Sequence, residues 1–181
     1  IANALKDGTN PATPQSITWV AGFNGSANPM NIARYWLFKF TNLTSEYANW
    51  EQINENTVLQ TAQAYTMKGS GIATPPAIAT QNYVFSGKPN NGLINHSGIQ
   101  IGINNINLIG NPYPSSINAI NFLTANPNID GFVNIWTHGN LPSSGYADPF
   151  YNDYGYNYTS SDYITYNSSG ASTGPGTFGG Y

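Results

Sequence analysis

At 181 residues the chain has room for one domain with a proper core, and two complete independent domains would be a tight fit. Only 7% of it is charged, against roughly 25% in an ordinary soluble domain; with a formal charge of −3 and five scattered Lys and Arg, it lacks the basic cluster that a nucleic-acid backbone requires. Cysteine is absent, which excludes a disulfide framework and a thiolate metal site.

Short apolar runs separated by Gly, Pro and Asn recur along the chain, and helical periodicity is scarce. This is the pattern of an all-β fold, expected as a β-sandwich or jelly-roll-like arrangement. No run approaches the roughly 18 apolar residues that span a bilayer, and the opening IANALKDGTNP lacks the layout of a signal peptide. SITWVAGF (16–23) and ARYWLFKF (33–40) read as strands, the second with Trp36, Phe38 and Phe40 on one aromatic face directed at the core. ANWEQI, QAYTMKG and NYVFSG follow as further short strands. The Asn91-Gly92 pair then tolerates positive φ, and the flanking runs predict a hairpin there.

INLIGNPYPSS (106–116) raises a sharper question, because an apolar run stops abruptly in two prolines and two serines. Each proline holds its predecessor extended and removes a ladder donor, so a strand must end there. Ser115 or Ser116 is suited to cap one short helix, about 115–126, with Ile117, Ile120 and Leu123 or Phe122 on its inner face and Pro127 closing it. The stretch is therefore predicted to be a strand-to-helix corner. GFVNIWTHG (131–139) and DYITYN (162–167) read as strands, and the remainder of 146–181 reads as a loop-rich end, dense in Tyr, Gly and Ser, of the same single domain 1–181.

Four ordered blocks, YVFSGKPNNGLI, INLIGNPYPSSINAINFLTAN, IDGFVNIWTHG and DYITYNSSG, resemble a region near the C-terminal end of large secreted proteins of Bacteroidota, cargo of the type IX secretion system. The resemblance covers roughly residues 83–181 and extends more loosely over RYWLFKF and NWEQI. It implies an extracellular or cell-surface location, contact with the secretion machinery during export, and a chain that is a fragment or processed piece of a larger surface protein. It assigns no catalytic role, and a family likeness grants no chemistry without a site.

The residues themselves offer few catalytic constellations. His96 and His138 are the only histidines and stand in no zinc-binding spacing, so a hydrogen-bonded structural role fits them better than ligation. The serines sit in turn-like contexts without a G-x-S-x-G elbow. The eight acids, Asp7, Glu46, Glu51, Glu55, Asp130, Asp148, Asp153 and Asp162, carry no signature of a paired-carboxylate hydrolase. No catalytic residue is assigned.

Two binding chemistries stand out in DPFYNDYGYNYTSSD (148–162). Asp148, Asp153 and Asp162, with neighbouring Asn and main-chain oxygens, supply hard ligands of the kind Ca2+ takes. Tyr146, Tyr151, Tyr154, Tyr156 and Tyr158 offer rings to stack on sugars or to line a protein interface. Asn-x-Ser/Thr occurs at Asn24, Asn42, Asn95, Asn157 and Asn167, as expected by chance in so Asn-rich a chain. The expected function is a non-enzymatic extracellular structural or adhesive module, with glycans or other surface-protein subunits as partners. A carbohydrate-binding module appended to a secreted hydrolase is the alternative.

Overall fold

The computed structural model describes residues 1–41, 50–71, 81–99, 106–136 and 163–171. Their regular structure is mostly strand, in four small sheets with one short α-helix, so the fold is all-β. The chain, expected as one domain, gathers into two compact units, Ile1–Pro114 and Ser115–Tyr181, and the boundary falls inside the Pro-Tyr-Pro-Ser corner.

The first unit starts with β1 (Leu5–Asp7), the central strand of a three-stranded antiparallel sheet. On one side β1 pairs with β2 (Gln15–Ser16), which returns through a short connection closed by side chains. Asp7 Oδ1 accepts from Thr9 N at 2.8 Å and Asn10 Oδ1 accepts from Ala12 N at 3.2 Å, two Asx turns that reverse the chain. Hydrogen bonds from the Thr9 side chain and then its backbone hold the Asp7 carboxyl below the usual range.

After β2 come β3 (Thr18–Val20), β4 (Ser26–Ala27) and β5 (Met30–Ala33), which form a second sheet in the order β3-β5-β4. β3 runs parallel to β5, and β4 antiparallel to it. The core forms where Leu5, Ile17, Met30 and Ile32 meet, all at most 7% exposed, with Trp19, Met67 and Tyr83 packed against them.

The run 33–40 is not one strand. A 3-10 turn at Arg34–Trp36 divides β5 from β6 (Phe38–Phe40), and Leu37 N bonds back to Arg34 O at 3.1 Å. The turn carries the chain from one sheet to another and shifts the phase of its alternation. Leu37 is therefore the fully buried residue, while Trp36, Phe38 and Phe40 are only half-buried, which corrects the expected aromatic core face. β6 pairs antiparallel with β7 (Trp50–Gln52), where Phe40 meets Trp50 edge-on at 5.2 Å and Lys39 pairs with Glu51 at 3.1 Å.

β8 (Tyr83–Phe85) completes the first sheet by pairing with β1, in the register Leu5↔Phe85 to Asp7↔Tyr83. Gly8 allows the approach, because a Cβ there would stand 2.9 Å from Asn82 O. Next to the core, buried Ser70 donates its hydroxyl to Gln81 Oε1, which also accepts from Tyr83 Oη at 2.7 Å.

Among the described residues the hairpin expected at Asn91-Gly92 is not seen: β8 pairs with β1, and residues 93–99 form no strand. Gly92 does take the positive φ, +78°, at a bend in the chain. Nor is INLIG a strand over its described residues, since Ile109 makes a single bridge to Gln63.

The second unit holds α1 (Ala119–Ala125), β9 (Phe132–Trp136), β10 (Tyr163–Asn167) and β11 (Gly170–Ala171). The helix is shorter than the predicted 115–126. Its N-cap is Asn118, whose side chain accepts from Asn121 N at 3.0 Å, so neither Ser115 nor Ser116 caps it. At the other end Asn126, at φ −125° and ψ 66°, leaves the helical conformation ahead of Pro127, and its side-chain amide donates to Phe122 O at 2.8 Å. Leu123 is the helix residue that is buried.

β9 and β10 pair antiparallel from Tyr163↔Trp136 to Asn167↔Phe132, with Thr165 Oγ1 donating to Asn134 Oδ1 at 2.8 Å. β10 turns into β11 through Ser168-Ser169, with Asn167 Oδ1 taking Ser169 N at 2.8 Å and Gly170 at φ +122°. A two-residue reversal thus exists in this chain, but late, within the part read as a loop-rich end. No helix among the described residues is long and apolar enough to cross a membrane.

Candidate functional site

The ring-bearing surface of the first unit is built by the bend after β3 and by the 3-10 turn. Gly22, at φ +95°, turns the chain so that Phe23 leaves the sheet and stays 58% exposed. Phe23 meets Tyr35 edge-on at 4.6 Å, Tyr35 meets Trp36 edge-on at 5.1 Å, and Phe23 lies 6.4 Å from Trp36. Such edge-to-face contacts are the favoured ring arrangement.

Polar bonds fix the cluster in place. Trp36 Nε1 donates to Phe23 O at 2.7 Å. Lys68 Nζ stands 5.5 Å from the Trp36 ring centroid and donates to Asn24 Oδ1 at 2.7 Å and to Phe23 O at 3.3 Å. The bend is thereby held to the 3-10 turn from two sides, and Phe23 is the ring presented outward.

Beside these rings lies a shallow, open depression lined by Gly22, Arg34, Tyr35, Gln52 and Asn54, among others. Arg34 Nη2 bonds Glu55 Oε1 at 2.8 Å and Trp19 O at 2.9 Å, which orients the guanidinium across the base of β3. Gln52 Nε2 donates to Tyr35 O at 3.0 Å. The arrangement offers an apolar ring edge next to amides and one guanidinium, which suits a polar ligand that also carries an apolar face. A group poised for nucleophilic attack or proton transfer is not among these residues.

Tyr146, Tyr151, Tyr154, Tyr156 and Tyr158, the calcium candidates Asp148, Asp153 and Asp162, and also Glu46 and His138, lie outside the described residues. His96 is half-buried with its ring beside Gly98. Of the other acids, Glu51 and Glu55 are paired with Lys39 and Arg34, and Asp7 closes its turn. Among the described residues no three His, Cys, Asp or Glu side chains come together as a metal site.

Sequence reading missed the Phe23 cluster because Trp36 was assigned to a strand face directed at the core. The available signal was local: Phe23 sits between Gly22 and Asn24-Gly25, so it is an aromatic residue flanked on both sides by turn formers.

The corner at 110–116 has its own geometry, in two parts. Tyr113 Oη donates to Gly92 O at 2.7 Å, and Asn90 Nδ2 donates to Pro112 O at 2.8 Å. The Lys-Pro-Asn-Asn-Gly turn and the Asn-Pro-Tyr-Pro corner are therefore latched to each other, while Asn111 Oδ1 accepts from Tyr113 N at 3.0 Å and shapes the corner from within. Tyr113→Phe deletes one exposed hydrogen bond and should lower stability by about 0.5–1.5 kcal/mol, seen as a lower denaturant midpoint at unchanged slope.

A family described as Domain of unknown function (DUF8693) matches residues 16–181 of the chain. No curated protein and no solved structure matches it.

Proposed function

The chain belongs to that family, and from its own surface we propose that it is a non-enzymatic structural and adhesive module of a bacterial surface protein, with the Phe23 cluster as its contact face. The observation that carries this reading is Phe23 itself: a large ring 58% exposed, yet braced by Tyr35, Trp36 and the bonds from Trp36 and Lys68 to its carbonyl. A rigid exposed ring gives contact area at little entropic cost on binding. The sparse charge, the absence of thiols and the resemblance of four sequence blocks to a region of secreted Bacteroidota proteins support an extracellular setting. Other surface subunits and glycans are the partners this face suits.

The amides of Gln52 and Asn54 beside the rings favour a second reading, a carbohydrate-binding module. One experiment separates the two. The purified chain and its Phe23→Ala variant are titrated against immobilised neutral polysaccharides and compared for self-association by sedimentation. Loss of self-association in the variant supports the adhesive module. A sugar affinity weakened about tenfold supports the carbohydrate module. A variant equal to the parent in both assays removes Phe23 from any binding role and sinks both readings of this face.

A further inference from the structure

We infer that Asn91 is a self-modification site, at which the chain converts its own asparagine to aspartate or isoaspartate, and that the fold selects this position over the chain's other Asn-Gly pair. The chemistry needs no partner but water. The Gly92 backbone nitrogen gives up its proton to hydroxide and attacks the Asn91 side-chain carbon. The C–N bond to the amide nitrogen breaks, that nitrogen leaves as ammonia after taking a proton from water, and a five-membered cyclic imide forms. Water then opens the imide at either carbonyl, which yields aspartate or, with the backbone rerouted through the β-carbon, isoaspartate.

Both Asn-Gly pairs, Asn24-Gly25 and Asn91-Gly92, lack a side chain on the attacking residue. Their surroundings differ. Gly92 N donates to Asn91 Oδ1 at 2.8 Å, so the attacking nitrogen already rests against the carbonyl it must enter. Both residues are exposed, and a Cβ on Gly92 would find nothing within 4 Å, so the turn has open space in which to close the ring. Gly25 is hemmed in, because a Cβ there would fall 2.2 Å from Asn31 O. The Asn24 carbonyl is committed to Lys68 at 2.7 Å. The charge of Lys68 polarises that carbonyl, but a packed backbone at Gly25 opposes the swing that attack requires.

The modification has a structural consequence. Gly92 O is the acceptor of the Tyr113 latch. An isoaspartate at 91 inserts one carbon into the backbone just before Gly92, the residue whose carbonyl is held, and places a new negative charge beside it. Conversion therefore releases the corner and shifts stability in the direction of Tyr113→Phe.

The test is a time course of the intact folded chain in warm, mildly alkaline buffer, with peptide mapping by mass spectrometry and enzymatic methyl labelling of isoaspartate, run in parallel in concentrated urea. In the folded chain the Asn91 peptide should gain acid at least several-fold faster than the Asn24 peptide, and in urea the two rates should converge. Asn91→Gln, whose longer side chain closes a six-membered ring slowly, should abolish conversion at 91 and leave Asn24 unaffected. An Asn91 amide that stays intact, or an Asn24 that keeps pace with it in the folded chain, overturns the inference.

Discussion

A chain beginning at Gln15 is expected to lose the packed state of the first unit. Residues 1–14 carry β1, the middle strand of its sheet, and the matched family region begins only at residue 16. A boundary drawn at that match would thus omit a strand on which two others depend. Leu5 is 1% exposed within the core, and its loss alone should cost about 2–5 kcal/mol. β2 and β8 would also lose their shared ladder partner. Against a total of about 5–15 kcal/mol for a typical domain, this removes most of the margin. Trp19, Trp36 and Trp50 all lie in this unit, so a red-shifted fluorescence and a flattened near-ultraviolet dichroism should report the change. A truncated chain melting with the midpoint of the parent would show that β1 is dispensable.

Ile32→Ala should be the most damaging single substitution in the second sheet. Ile32 is fully buried on β5, the strand to which both β3 and β4 are bonded, and it packs with Leu5, Ile17 and Met30. Truncation removes its transfer free energy and leaves a cavity that a parallel pair on one side and a short antiparallel pair on the other hold open. The expected cost is about 2–5 kcal/mol, or a melting temperature lower by on the order of 10 °C. Ile32→Val, which deletes one carbon, should cost about 0.5–1.5 kcal/mol and keeps the comparison interpretable should the alanine variant fail to fold. Equal midpoints for the two variants would mean that the site collapses around the smaller side chain.

Strand identity was legible in part: of the short runs read as strands, QAYTMKG and INLIG make only isolated bridges. β3, β6, β7, β8, β9 and β10 all sit inside segments read that way. Pairing was far less legible. β8 lies beside a sequence that invites a local hairpin, yet its ladder partner is β1, nearly the whole unit away in sequence, and no local pattern encodes that choice. The division of 33–40 was hidden for a related reason: Ala-Arg-Tyr-Trp-Leu contains no Gly, Pro or Asn to announce a turn, and the 3-10 segment is imposed by the move between sheets. The break at Asn111–Ser116 was readable because proline acts through its own backbone, but the strand expected before it and the serine cap expected after it are not there, and its latch to Gly92 depends on tertiary proximity. Phe23 shows the limit for sites. Its turn context was visible, but exposure of the ring depends on where Tyr35 and Trp36 come to rest.

The placement of β1 also sets a timetable. On a chain synthesised from its N-terminus, β1 and β2 emerge early and can meet at once through the short Asx-turn connection. The opposite edge of β1 must then wait until Tyr83–Phe85 have left the ribosome. Throughout that interval Leu5 has no Phe85 across from it, and closing so long a loop carries a substantial entropic cost. A nascent chain stalled before residue 83 would therefore carry an unfinished, sticky ribbon, and a chaperone or a slow codon stretch acting in that window would govern the yield of the whole unit.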